Sequence, residues 1–217
     1  GLAAGLAARG LVTGAACRPC KRVEVREGGR LVDFALVDAV LLRRDVIGNR
    51  MPFDPARLAT VVLTRAEPFG AGTSPIGGWL QPVGPEEPGG VVVHCAPSGA
   101  SDAAPTRAGG AQAPASTSGA VRRLTVPIAP GTFADVHVEG WRRIDDGEPV
   151  ALFGDGILAL DGDRLHRVRA GSGMRLLVDR TGPRVLDVRA ALSAAAVAGV
   201  LAEQLPPAAV PYDPVPP

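Results

Sequence analysis

The stretch that decides the fold is Gly154 to Val188, GDGILALDGDRLHRVRAGSGMRLLVDRTGPRVLDV. Ile157-Leu158-Ala159-Leu160 is an apolar run that stops at Asp161-Gly162-Asp163, and Leu165, Val168 and Leu176-Leu177-Val178 follow in short bursts. Asp-Gly between β-prone runs is a strong hairpin signal, because both turn residues must tolerate positive φ. Gly171-Ser172-Gly173 and Thr181-Gly182-Pro183 punctuate two further strands. The local reading is a β-meander.

Working outward, Arg22 to Arg26 alternates, and Glu27-Gly28-Gly29-Arg30 separates it from Leu31 to Leu42. This predicts a hairpin leading into one long buried strand. Leu58 to Leu63 and Val91 to Cys95 are further apolar strands. Val121 to Ile128, Ala134 to Glu139 and Val150 to Phe153 continue the β pattern. The segment from Glu67 to Gly90 is too rich in Gly and Pro for regular structure, apart from one short helix starting near Ser74. Ala96 to Gly119 has almost no large apolar side chain, so burial cannot offset its ordering entropy and a flexible loop is expected. Ala190 to Glu203 reads as a helix with Leu192, Val197 and Leu201 on its apolar face. Pro206 to Pro217 is a proline-rich tail.

The order of these parts is similar to that of the ATP-NAD kinase family, and closest to its acetoin catabolism protein X branch. In the family's carboxyl-terminal β domain an F-D-G hairpin precedes a strand; here Leu160-Asp161-Gly162-Asp163 stands in that place. Asp33-Phe34-Ala35-Leu36-Val37-Asp38 resembles the strand where NAD kinases carry L-N-E. Thr64-Arg65-Ala66-Glu67-Pro68 and Gly72-Thr73-Ser74-Pro75-Ile76-Gly77-Gly78 stand where they carry T-P-T-G-S-T-A-Y-x-x-S-x-G-G. The resemblance covers roughly Val23 to Val188.

It implies a mainly β fold, a two-sheet sandwich like the NAD kinase carboxyl-terminal domain, with a helix near each end. The domain organisation expected is then 1–20 as a helix left from a missing amino-terminal α/β domain, 21–189 as the β domain, and 190–217 as helix and tail. The resemblance also implies NAD or NADP and ATP as ligands, Mg2+ in the missing domain, and a homo-oligomer. The implied binding residues are Asp38, Thr64, Glu67, Gly72, Thr73, Ser74, Gly77, Gly78 and Asp161. No residue of the chain is assigned a catalytic or metal-binding role.

The departures bear on function. Val37-Asp38 replaces the Asn-Glu pair, the S-T-A-Y core is absent, and the 217 residues contain no G-G-D-G-T loop. Gly154-Asp155-Gly156 looks like part of that loop but precedes the hairpin, and reads as a turn. Two functions therefore compete. One is a nucleotide-binding domain associated with phosphoryl transfer from ATP to NAD or a related substrate, not catalytic alone. The other is a non-catalytic scaffold or oligomerisation module.

The residues themselves support a local site. In Thr64 to Gly78 the glycines allow backbone N–H groups to approach a ligand, and a helix starting after Ser74 would present its positive end. On this reading Gly78→Val blocks the ligand and leaves the fold intact. A plain Gly-rich surface turn has the same composition. Asp38 sits in an otherwise apolar strand and needs a partner, either Arg43 or a ligand hydroxyl. Asp161 reads first as a turn former, and only its family position argues for more.

Charge and cysteine content narrow the classes. Lys+Arg 23 against Asp+Glu 22 leaves no global field for a nucleic acid polymer or an anionic membrane. No run reaches the roughly 18 apolar residues of a membrane helix. Cys17-Arg18-Pro19-Cys20 lacks the further ligands of a zinc site, and the odd cysteine count suits a reducing cytoplasm. His94, His137 and His166 show no metal-ligand spacing.

Overall fold

The computed structural model describes residues 17–43, 54–97 and 121–199, together with Gly5. Its strands are β1 (Cys17–Pro19), β2 (Arg22–Glu27), β3 (Arg30–Ala35), β4 (Asp38–Arg43), β5 (Leu58–Leu63), β6 (Gly90–Cys95) and β7 (Arg122–Ala129). They continue with β8 (Thr132–Ile144), β9 (Val150–Ala151), β10 (Gly156–Leu160), β11 (Arg164–Val168), β12 (Arg175–Asp179) and β13 (Arg184–Leu186). The helices are α1 (Ser74–Gly78) and α2 (Val188–Val197). The fold is mainly β, and the paired strands are antiparallel.

The described residues fall into two compact units, divided at Pro19 and at Pro183. In the smaller, β1 pairs with β13, and α2 follows with Asp187 as its cap, the carboxylate accepting from the Ala190 amide at 2.9 Å. The buried face of α2 is Ala191 and Ala195 rather than the expected face through Val197, which is exposed. Small side chains permit that closer packing. Cys17 lies in a strand, not at the end of a helix.

The larger unit, Cys20–Gly182, holds a seven-stranded sheet in the order β11-β10-β4-β5-β6-β8-β7 and a four-stranded sheet β3-β2-β12-β9. The two sheets share one core: Val23, Val25, Leu176 and Val178 from the smaller sheet meet Leu41, Val62, Val92, Leu158 and Leu160 from the larger. Each buried Leu there contributes about 1.5–3 kcal/mol relative to exposure. A second core, with Leu58, Val61, Leu63, Val91, Val93, Val136 and Val138, covers the opposite face of the larger sheet, where Ile76 of α1 and Val83 close over it. β-Bulges let single strands serve both cores. Cys95 pairs with Val138 and His94 with Gly140, so Glu139 is an extra residue that reverses the alternation. Ile144 therefore enters the inter-sheet core while Val136 and Val138 enter the other. Ala59 does the same in β5.

Two expectations need correction. The strands of the Gly154–Val188 segment form, but they are not a meander: β10 and β11 pair in the larger sheet, while β12 crosses to pair with β2 and β9. Val168 and Met174, flanking the crossing, are both buried in the inter-sheet core. Likewise Leu31 to Leu42 is not one strand. It breaks at Leu36-Val37, so β3 joins the smaller sheet and β4 the larger. The amino-terminal helix, the loop expected over 96–119 beyond Pro97, and the proline-rich tail lie outside the described residues.

Candidate functional site

The break at Leu36-Val37 leaves backbone groups outside either ladder, and two side chains satisfy them. Asp161 takes the amides: its carboxylate accepts from Leu36 N at 2.8 Å, Val37 N at 2.8 Å and Asp38 N at 3.3 Å. Thr64 takes the carbonyls, donating its hydroxyl to Leu36 O at 2.9 Å and its backbone amide to Val37 O at 3.0 Å. Asp161 reaches this position from the β10–β11 turn, where it adopts a φ of +50°, a conformation that Asp tolerates better than most residues. Its own amide donates to Asp38 O at 3.0 Å, closing a two-way grip between turn and strand.

Above this junction lies a cleft of about 210 Å³ on the side of the larger sheet that faces the second core. Val40, Leu42, Ala159, Leu165 and Ile128 give it an apolar floor. Its polar wall is Asp38, Asp161, Gly162 and the Gly72-Thr73-Ser74 segment. Burial, the dominant influence, pushes the Asp38 carboxyl above the ordinary aspartate range, and the nearby Asp161 charge adds to this. The Thr73 hydroxyl donates to Asp38 Oδ2 and opposes the shift. Thr73, not Arg43, is therefore the partner of Asp38; Arg43 reaches the carbonyls of Leu58 and Cys95 instead.

The residues singled out from sequence separate into two groups. Asp38, Gly72, Thr73, Ser74 and Asp161 converge on the cleft from three distant segments. Thr64, Glu67, Gly77 and Gly78 stand outside its lining. Thr64 grips the strand break, and the Glu67 amide donates to Ser74 Oγ at 2.9 Å, tying the loop to α1. Gly77 and Gly78 face protein rather than ligand. A Cβ on Gly78 would lie 2.4 Å from the Glu67 carbonyl carbon, and one on Gly77 would lie 2.4 Å from Leu63 Cδ1. Neither has positive φ; Gly70 and Gly72, with φ of +108° and +95°, are the loop glycines that do. Gly78→Val is thus expected to disturb folding, contrary to the sequence expectation.

The backbone cradle is also corrected. The Gly72 amide donates to Pro127 O at 2.8 Å and the Ile76 amide to Thr73 O at 3.0 Å. With five residues, α1 is too short to make an anion site at its start. The recognition groups on offer are side-chain oxygens: a perturbed carboxyl, a hydroxyl and a second carboxylate. Sequence reading missed the apolar floor, and it missed Asp33, Arg164 and His166, which sit behind Asp161. Asp33 opens the Asp33-to-Asp38 motif, but its role depends on β3 passing beside β11, which no local pattern signals. Among the described residues, no group of three or more His, Cys, Asp or Glu gathers as metal ligands.

Residues 21–181 match the family of the Acetoin catabolism protein X C-terminal domain. The chain is also similar to Acetoin catabolism protein X of Cupriavidus necator, at 36% identity over 170 residues that make up 76% of this chain and 42% of that relative. The chain thus spans less than half the length of the curated relative it matches.

Proposed function

This chain belongs to the acetoin catabolism protein X C-terminal domain family, and from that premise we propose that it is the nucleotide-binding β domain of an ATP-NAD kinase-like protein serving acetoin catabolism. The observation that carries this reading is the convergence of Asp38, Thr73 and Asp161, from separate parts of the sequence, on one cleft. By resemblance, Asp38 stands where NAD kinases carry the dinucleotide-contacting Asn-Glu pair, and Thr73 lies in the segment similar to their T-P-T-G-S-T-A-Y run.

The cleft's chemistry narrows what it takes. About 210 Å³ is below the common range for a whole drug-sized ligand, roughly 300–1,000 Å³, so one ring of a dinucleotide fits and the remainder lies outside. Asp38 and Asp161 line it, and no Lys or Arg does among the described residues. Such a wall repels phosphate and accepts hydrogen bonds from hydroxyls. In this reading a ribose of NAD or NADP occupies the cleft, its hydroxyls donating to Asp38 and Asp161. The two-sheet arrangement is read as the NAD kinase-like sandwich. Phosphoryl transfer needs charge neutralisation that this wall does not offer, so it falls to a part of the protein carrying a G-G-D-G-T loop and Mg2+. The family resemblance extends this reading to a homo-oligomer, and the odd cysteine count extends it to a reducing cytoplasm.

A second reading, a scaffold or oligomerisation module, is favoured by Val37-Asp38 standing in place of Asn-Glu and by the engaged loop amides. Isothermal titration separates the two. The proposal expects heat with NAD or NADP that Asp38→Ala abolishes. No heat with NAD, NADP or ATP leaves the scaffold reading in place.

A further inference from the structure

Behind the cleft, on β11 and β3, three charged or titratable side chains, Arg164, Asp33 and His166, form a chain that ends on Asp161. Arg164 donates from Nη1 to Asp33 Oδ1 at 2.7 Å and from Nη2 toward Asp161 Oδ2 at 3.4 Å. His166 Nε2 lies 2.7 Å from the other oxygen of Asp33, so both oxygens of that carboxylate are held. The Phe34 amide also donates to Asp33 Oδ1 at 2.7 Å, fixing the carboxylate against its own strand. The Arg164 guanidinium lies 5.7 Å from the Phe34 ring centroid, within cation–π range. Its Nε approaches the exposed Asp163 at 3.4 Å.

We propose that Arg164 is a positioning residue for the cleft, held by Asp33 and His166 and acting through Asp161. Asp161 has to do two things with one carboxylate: accept the amides of the strand break and face the ligand. Asp38 stands beside it in the same wall, so two acidic groups compete for the same region. A guanidinium at the outer edge of Asp161 offsets that second charge and limits rotation of the carboxylate about χ2. Bridging Asp33 and Asp161 uses two nitrogens of one planar group, which an ammonium cannot reproduce. The network joins the two sheets at the point where the chain crosses between them. It therefore sets how firmly Leu36 and Val37 are held under the cleft.

The consequence for ligand rests on the nucleotide reading; the consequence for the backbone does not, and the test keeps them apart. Arg164→Met and Arg164→Lys are compared with the parent chain for amide hydrogen exchange at Leu36 and Val37, for NAD affinity by titration, and for Tm. Arg164→Met is expected to speed exchange at both amides and to weaken NAD binding, each by about three- to tenfold for a partly exposed pair, with Tm little changed. Arg164→Lys is expected to recover part of both losses, and Asp33→Asn to shift them in the same direction as Arg164→Met. Unchanged exchange at Leu36 and Val37 in folded Arg164→Met overturns the proposal. Faster exchange with unaltered NAD affinity also overturns it, because the network then serves only the backbone. If the parent chain binds no nucleotide, the functional reading fails while the exchange measurement still decides whether Arg164 positions Asp161.

Discussion

Replacing Asp161 should cost more than replacing an ordinary turn residue, and the size of the cost can be apportioned. Asp161→Ala removes the acceptor of two short amide bonds, to Leu36 and Val37 at 2.8 Å, and of a longer one to Asp38 at 3.3 Å. A hydrogen bond to a charged acceptor contributes about 1.5–3 kcal/mol, but the Leu36 amide is exposed and water recovers most of its share. The two short bonds together then contribute about 2–3 kcal/mol. Placing Ala at the φ of +50° adds about 1 kcal/mol of strain. The expected loss for Asp161→Ala is therefore about 3–4 kcal/mol. Asp161→Gly relieves the strain and should recover about 1 kcal/mol of it. Asp161→Asn keeps one acceptor oxygen and tolerates positive φ, so its loss should be about 1–2 kcal/mol. Urea denaturation of the four proteins, with matching m-values, gives the order Asp, Asn, Gly, Ala from most to least stable. An Ala variant within about 1 kcal/mol of the parent would refute the assignment of Asp161 as the acceptor that holds the strand break.

Gly78→Ala should destabilise by at least about 1–3 kcal/mol, because the new Cβ meets immovable Glu67 and Pro68 backbone, whereas Gly84→Ala meets only the flexible Glu87 side chain; their melting temperatures compare the two directly. Asp38 has a raised folded-state pKa, so its ionisation costs stability: the cost is absent below the unfolded value, grows as pH rises from the unfolded to the folded value, and is complete above the folded one. Asp38→Asn is accordingly expected to raise Tm relative to the parent more at pH 7 than at pH 4, while altering nucleotide affinity; a pH-independent difference contradicts the shift. Lys21 is the only lysine, and its amine donates to Gly84 O and Gly89 O at 2.9 Å each while burial, followed by Arg180, lowers its pKa to about 8. Nitrogen NMR should find the single side-chain amine titrating near that value, and a midpoint at the ordinary 10.5 rules out the buried placement. Burial pushes the Cys95 thiol up to about 12, so a thiol reagent at mildly alkaline pH should modify Cys17 and Cys20 well before Cys95.

Strand positions were legible because apolar runs and Gly/Pro/Asp turns are local signals: β5, β6, β10 and α1 stand where the sequence places them. Pairing was not legible. Leu176 and Val178 are apolar whether β12 lies beside β11 or crosses to β2, and only the shared inter-sheet core decides between them. The break at Leu36-Val37 was hidden for a similar reason. Its residues are apolar like their neighbours, and the groups that stabilise it, Asp161 and Thr64, are 125 and 28 positions from Leu36. Asp38, Thr73 and Asp161, singled out by residue type and motif order, line one cleft. The roles given to Gly77 and Gly78 were misread, because a glycine that lets a ligand approach and one that lets a helix pack on a loop look alike in sequence. Arg164 and Asp33 could have been suspected only by asking what neutralises an acidic turn.

The central claim, that this cleft takes the ribose of a nicotinamide dinucleotide, is tested most directly by amide chemical-shift mapping of the chain titrated with NAD. The account predicts saturable shifts centred on Asp38, Gly72, Thr73 and Gly162, reduced in Asp38→Ala and not reproduced by inorganic phosphate. Shifts centred elsewhere, shifts matched by phosphate alone, or none at millimolar NAD would contradict it.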